Sequence, residues 1–204
     1  MAPPRKHDTD DILDAARTVA LRDGPRSTSV AAIASESGAP AGSLYHRFGN
    51  RDRLLQAAWL RALTRFQHDV LAAASEPDPV EAGVAMAVAA VGFARRHPED
   101  ALLLVVVRRD DLLDGEPDAT FTARLATMNA PLEKQIRRLA RALHGRASAR
   151  ARHAVVAAVV DVPGAAVRRH AGAAKPMPAW LEDAVAASAR RLLAPAFLLE
   201  ADTQ

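Results

Sequence analysis

Apolar residues recur at helical spacing along almost the whole chain. Between residues 9 and 23 they fall at Ile12, Leu13, Ala16, Val19 and Ala20, one face of a helix. Asp8 or Thr9 can cap its start, and Asp23-Gly24-Pro25 ends it. A second, short helix is expected from Ser27 or Thr28 to Gly38, burying Val30, Ile33 and Ala34, and a third from about Ala41 to Phe48. Asn50 can cap a fourth, whose stripe runs through Leu54, Leu55, Ala58, Trp59, Ala62, Leu63, Phe66 and Val70 and stops at Glu76-Pro77-Asp78-Pro79.

Five further helices follow from the same reading. One spans about Val80 to Arg96 and is apolar almost all round, which predicts burial. The next starts at Pro98, a residue suited to a first helical turn. After an expected turn at 114–118, a long helix runs to about His144. Another covers about Ser148 to Ala171 and holds Pro163, where a missing backbone donor predicts a kink or break. A loop at 172–178 leads to a last helix over about Ala179 to Leu199. No strand pattern or tandem repeat occurs, and the first six residues lack any ordering pattern. The fold class is therefore all-α: a three-helix head followed by a larger helical bundle, about nine helices, with boundaries at 8–52 and 53–204.

Composition narrows the function. The 204 residues include no Cys, which excludes thiol catalysis and thiolate metal sites. Lys and Arg number 27 against 24 acids, a mild net charge of +3 that favours approach to a polyanion without identifying one. The first eleven residues carry no apolar segment behind their charges, unlike a secretory signal. Apolar runs such as 101–107 fall far short of the roughly 20 residues a membrane helix needs. A cytoplasmic protein that does not enter the membrane is expected.

The chemistry concentrates in Glu36–Leu55, ESGAPAGSLYHRFGNRDRLL. Gly38 suits a left-handed turn, Ala39 can tuck inward, and Pro40 sets the entry to the third helix. Gly42 lets its backbone approach a partner closely. Leu44 and Phe48, four apart, share the face toward the core. Ser43, Tyr45, His46 and Arg47 then point outward or sideways, offering groups suited to phosphates and base edges. Arg51 and Arg53 open the fourth helix, whose N-terminal amides also attract phosphate. Three short helices before a long one match a helix-turn-helix head, in which the second helix of the pair enters the major groove.

The run TSVAAIASESGAPAGSLYHRFGNRDRLL, 28–55, resembles the DNA-binding head of the tetracycline-repressor (TetR) family of bacterial transcription regulators. The residues that carry the likeness are Thr28, Val30, Ile33, Ala34, Gly38, Gly42, Leu44, Tyr45, Phe48 and the Asn-Arg-Asp-Arg-Leu-Leu of 50–55. The resemblance implies a ligand-responsive regulator, most often a repressor. It would be a homodimer on a palindromic operator, with a body that takes a small-molecule effector. It places DNA contacts at Thr28, Gly42, Ser43, Tyr45 and His46, with Arg51 at the basic position of the fourth helix. Many members have Ser where Pro40 stands, Lys where Ala41 stands and Lys where Arg51 stands. The charge absent at Ala41 can come from Arg47 or Arg26. The last two helices would form the dimer seam through their Ala-rich faces.

Elsewhere the residues allow more than one reading. Phe66, Met86, Phe93, Val107, Phe121 and Met128 suit either an effector cavity in the body or plain core. Asp161, inside an apolar run, can line that cavity, pair across a dimer seam, or face water. Trp59 is placed to join head and body. Lys134, Arg137, Arg138, Arg141, Arg146, Arg150 and Arg152, opposed only by Glu133, form a second anion surface or a solvated face. The seven His residues share no helix face with acids at ligand spacing, so no metal site is expected. No Gly-rich phosphate loop, HExxH-like pair or paired acid and base appears, so neither enzyme nor cofactor is expected. A helical module that binds ligands or partners but not DNA is the alternative.

Overall fold

The computed structural model describes residues 8–107, 119–172 and 176–194. Those residues form nine α-helices and no strand. The head holds α1 (Thr9–Asp23), α2 (Val30–Ser37) and α3 (Ala41–Phe48). The long α4 (Arg51–Ala72) passes from head to body. The body adds α5 (Pro79–Arg96), α6 (Pro98–Val106) and α7 (Ala119–His144). It closes with α8, residues 149–170, and α9 (Leu181–Leu193).

Local chemistry sets most boundaries. Asp8, Ser29, Asn50, Asp78 and Ser148 each accept a backbone N–H of the first helical turn, at 3.2, 3.1, 2.9, 2.9 and 3.2 Å. The start of α2 departs from expectation. Its cap is Ser29, because Pro25–Ser27 close a 3-10 turn first. Gly38 ends α2 at φ 66°, the left-handed conformation that reverses the chain toward α3. In α7, Pro131 sits within the helix without ending it. The expected turn at 114–118 and the end of the last helix beyond residue 194 lie outside the described residues. The last helix starts two residues later than expected, after a turn in which Leu181 N–H donates to Pro178 O at 3.2 Å.

Pro163 acts as its chemistry demands, though without a break. The helix continues through a π segment, Ala157–Asp161, in which Val162 N–H reaches back to Ala157 O, and then resumes as Val162–His170. The looser π register absorbs the donor that proline lacks.

Two apolar clusters organise the chain. One gathers α1–α3 with Leu54, Leu55 and Ala58 of α4, Leu103 and Val107 near the end of α6, and Phe121 of α7. The other joins α5, α8 and α9 with the C-terminal half of α7. Helix α9 packs chiefly on α5. Gly83 permits the approach, since a Cβ there would stand 2.5 Å from Leu193 Cδ1.

Candidate nucleic-acid interface and effector chamber

Helix α3 is amphipathic over only eight residues. Leu44 is 1 % exposed and Phe48 packs against the head cluster, so this side is anchored. The opposite side stays open. Tyr45 is 54 % exposed, and Gly42 and His46 are exposed as well. Ser43 and Arg47 are half-buried at the edges. A Cβ built on Gly42 meets nothing within 4 Å, so its backbone faces open space. The helix ends where Gly49 N–H donates to Tyr45 O at 2.8 Å. A large aromatic, an imidazole, a hydroxyl and a guanidinium thus share a short rod that stands proud of the head.

Thr28 and Arg51, expected at the same surface, are used differently. Thr28 is 3 % exposed and its hydroxyl donates to Gly24 O at 2.9 Å. The Arg51 side chain is 13 % exposed. Its Nε donates to Thr28 O at 2.9 Å, Nη1 to Asp52 at 2.6 Å, and Nη2 to Pro25 O. The planar fork braces the 25–28 loop against α4, so neither side chain is presented outward.

Head and body meet at an ionic junction that sequence reasoning missed. Asp100, in the first turn of α6, is 2 % exposed. It accepts from Arg17 of α1 and, at 3.0 Å, from Arg65 of α4. Arg17 also pairs with Glu99 at 2.6 Å and Asp14 at 3.1 Å. Arg61 of α4 grips Asp10 at 2.9 Å and also pairs with Asp14. Desolvation favours the neutral acid at Asp100, but the hydrogen bonds and charges of Arg17 and Arg65 outweigh it and hold the carboxyl below its ordinary value.

Beside this junction the body encloses a chamber of about 220 Å³. Trp59 and Phe66 of α4, Phe93 of α5, Leu104 of α6, and Val159 and Pro163 of α8 are among its walls. Phe66 packs edge-on to Phe93 with ring centroids 5.5 Å apart. Of the residues expected there, Phe66 and Phe93 line it. Met86 is wholly buried in the body core. Val107 and Phe121 belong to the head cluster, and Met128 packs on its edge. Asp161 is exposed on α8. Periodicity marks which residues are buried, not which element they face, so core and chamber residues looked alike. The signal that pointed to the chamber was Pro163 in an Ala- and Val-rich helix. Trp59 joins head and body, edge-on to Phe121 at 6.3 Å, and also walls the chamber.

No group of three or more His, Cys, Asp or Glu with metal-binding geometry occurs among the described residues. None of the described helices is long and apolar enough to cross a membrane.

An exposed third helix, held by a three-helix head on a larger helical body, defines the class of helix-turn-helix DNA-binding proteins. Residues 12–58 match the family model described as bacterial regulatory proteins, tetR family, and the chain belongs to the TetR family through this head. Solved structures agree over nearly the whole length. The TetR-family transcriptional regulator PfmR from Thermus thermophilus shares 17 % identity over 89 % of this chain and 96 % of its own, with a TM-score of 0.67. The regulator FadR from Bacillus subtilis, in complex with stearoyl-CoA, shares 13 % over 92 % and 99 %, with a TM-score of 0.68. AibR, in complex with isovaleryl coenzyme A and operator DNA, shares 20 % over 92 % and 98 %, with a TM-score of 0.64. At these identities the likeness establishes the fold. No curated protein matches the sequence.

Proposed function

We propose that this chain is a dimeric, effector-responsive transcriptional repressor. Residues 8–52 would read a palindromic operator, and residues 53–204 would bind the effector and hold the dimer. The observation that carries the reading is the exposed side of α3, with Tyr45 54 % exposed above the buried Leu44. Gly42, Ser43, Tyr45, His46 and Arg47 form the contact surface. Phosphate contacts supply most of the affinity, and α3 supplies the sequence choice. Two heads about 34–36 Å apart meet successive major grooves on one side of the duplex.

The effector site is the body chamber. Ala101, Leu104 and Val105 of α6 line it, and Asp100 is the next residue toward the N-terminus. An effector that displaces α6 therefore moves the carboxylate that holds Arg17 of the head. The effector must prefer the displaced state, by about 5.5 kcal/mol for a near-complete switch. The structural neighbours that hold acyl-CoA thioesters support an organic effector in this body.

The dimer seam is the outer side of α8 and α9. Val160 is 40 % exposed, and Ala184, Ala187 and Ser188 present small exposed side chains at helical spacing. The buried side of α9, through Leu181, Val185, Ala189 and Leu193, is committed to the body core, so removing the helix would damage the protomer itself. An Ala187→Glu substitution tests the seam more cleanly. It places a carboxylate in the interface and leaves that core untouched. Sedimentation velocity is expected to show monomer where the parent chain is dimer, with weakened binding to duplex selected from a random pool. A variant that stays dimeric removes this seam.

A further inference from the structure

The walls of the chamber restrict what can fill it. We infer that the buried part of the effector is uncharged and compact, about the size of one aromatic ring or a short branched chain, and that long linear chains are rejected. This rests on the chamber being the effector site proposed above.

Among the described residues, no ionisable side chain lines the chamber. An ionised group inside would lose its water without gaining a partner, a cost of several kcal/mol or more that excludes a buried carboxylate or ammonium. Size sets the second limit. A dry apolar cavity of about 150 Å³ takes a benzene molecule, and the chamber of about 220 Å³ is only somewhat larger. If each carbon group needs about the ~30 Å³ share of a liquid water, it holds on the order of seven. The walls resist stretching because they are themselves packed. Phe93 is 1 % exposed and locked edge-on to Phe66, and Trp59 is locked to Phe121.

The route outward has its own chemistry. Ala101 and Val167 are shared with a wider recess of about 470 Å³, which also includes Arg95, His170 and Met177. The Arg95 guanidinium is committed there. Nη1 donates to Met177 O at 3.1 Å, Nη2 to Pro178 O at 2.6 Å, and Nε pairs with Glu182 at 2.9 Å. An anionic tail emerging from the chamber would have to compete with these bonds for the arginine. A neutral molecule, or one whose polar end stays in water, meets no such competition.

The chain has two tryptophans, and Trp180 is 60 % exposed. Trp180→Phe therefore leaves Trp59, on the chamber wall, as the sole indole reporter. Titrated into this variant, toluene is expected to give a saturable change in Trp59 emission, with 1-decanol binding at least tenfold more weakly. Ala90→Leu and Gly164→Leu each put new carbon into the chamber. A Cβ at Gly164 meets nothing within 4 Å, so that position accepts a side chain without a clash at Cβ. Each substitution is expected to weaken toluene at least tenfold while thermal melts confirm a folded protein. Absence of a saturable toluene signal, decanol binding as tightly as toluene, or toluene affinity unchanged in both filled variants overturns the inference. Toluene that binds as described yet leaves the protein–DNA complex intact supports the size limit and counts against the chamber as the effector site.

Discussion

Replacing Tyr45 with alanine is expected to abolish most specific DNA binding while leaving the fold intact. The two effects separate because of where the side chain stands. At 54 % exposure it contributes little to the head core, and surface substitutions of this kind usually change stability by no more than about 0.5 kcal/mol. Alanine is also the better helix former, which matters in a helix of only eight residues. A lost base or phosphate contact costs about 1–3 kcal/mol per half-site. A dimer loses it twice, about 2–6 kcal/mol, which corresponds to roughly 30-fold to more than 10⁴-fold in affinity. Fluorescence anisotropy with a labelled selected duplex reads the affinity, and a thermal melt reads the fold. Equal affinity for the variant and the parent would remove Tyr45, and with it the centre of the proposed surface, from the DNA interface.

The second large effect is expected at the junction between head and body. Asp100→Ala leaves Arg17, whose side chain is 13 % exposed, without its closest partner. Breaking a buried pair by deleting one member costs about 3–5 kcal/mol. Arg17 keeps Glu99 and Asp14, and the Arg65 side chain is 38 % exposed, so the lower end of that range, about 3 kcal/mol, is the expectation. For a chain of this size the melting temperature should fall by roughly 6–12 °C.

The loss should also depend on pH in a defined direction. The carboxyl of Asp100 is held below its ordinary value of 3.8, so between that value and its lowered folded value the unfolded chain binds more protons. The stabilisation is therefore fully present above about pH 4 and disappears as pH falls through the lowered value. The stability gap between parent and variant should be constant near neutrality and close in acid. Denaturant titrations at a series of pH values measure it. A gap under about 1 kcal/mol at pH 7 would show that the junction holds head and body only loosely.

Sequence legibility followed how local the determining chemistry was. The bounds of α3 at 41–48 were readable because Gly38, Pro40 and Gly49 act on the residues beside them. The caps at Asn50 and Asp78 act within three residues. The start of α2 was displaced because Ser27, Thr28 and Ser29 can all cap, and only the 3-10 turn after Pro25 selects among them. Thr28 and Arg51 were legible as a pair in the right region but not in their roles. Whether a guanidinium meets phosphate or a neighbouring carbonyl depends on how the 25–28 loop folds back on α4. Asp100 was least legible. Beside Pro98 it looks like an ordinary first-turn acid, and its partner Arg17 stands 83 residues earlier. The chamber has the same non-local character. Phe66 and Met86 carry equal signals in the sequence, yet one walls a cavity and the other fills the core.

The central claim is that the open side of α3 reads double-helical DNA, and selection of bound fragments from random duplex tests it most directly. The account predicts enrichment of an inverted repeat with half-sites about one helical turn apart, bound with an affinity that falls steeply as salt rises. Recovery of no common sequence, together with an affinity for every duplex that does not change with salt, would contradict it.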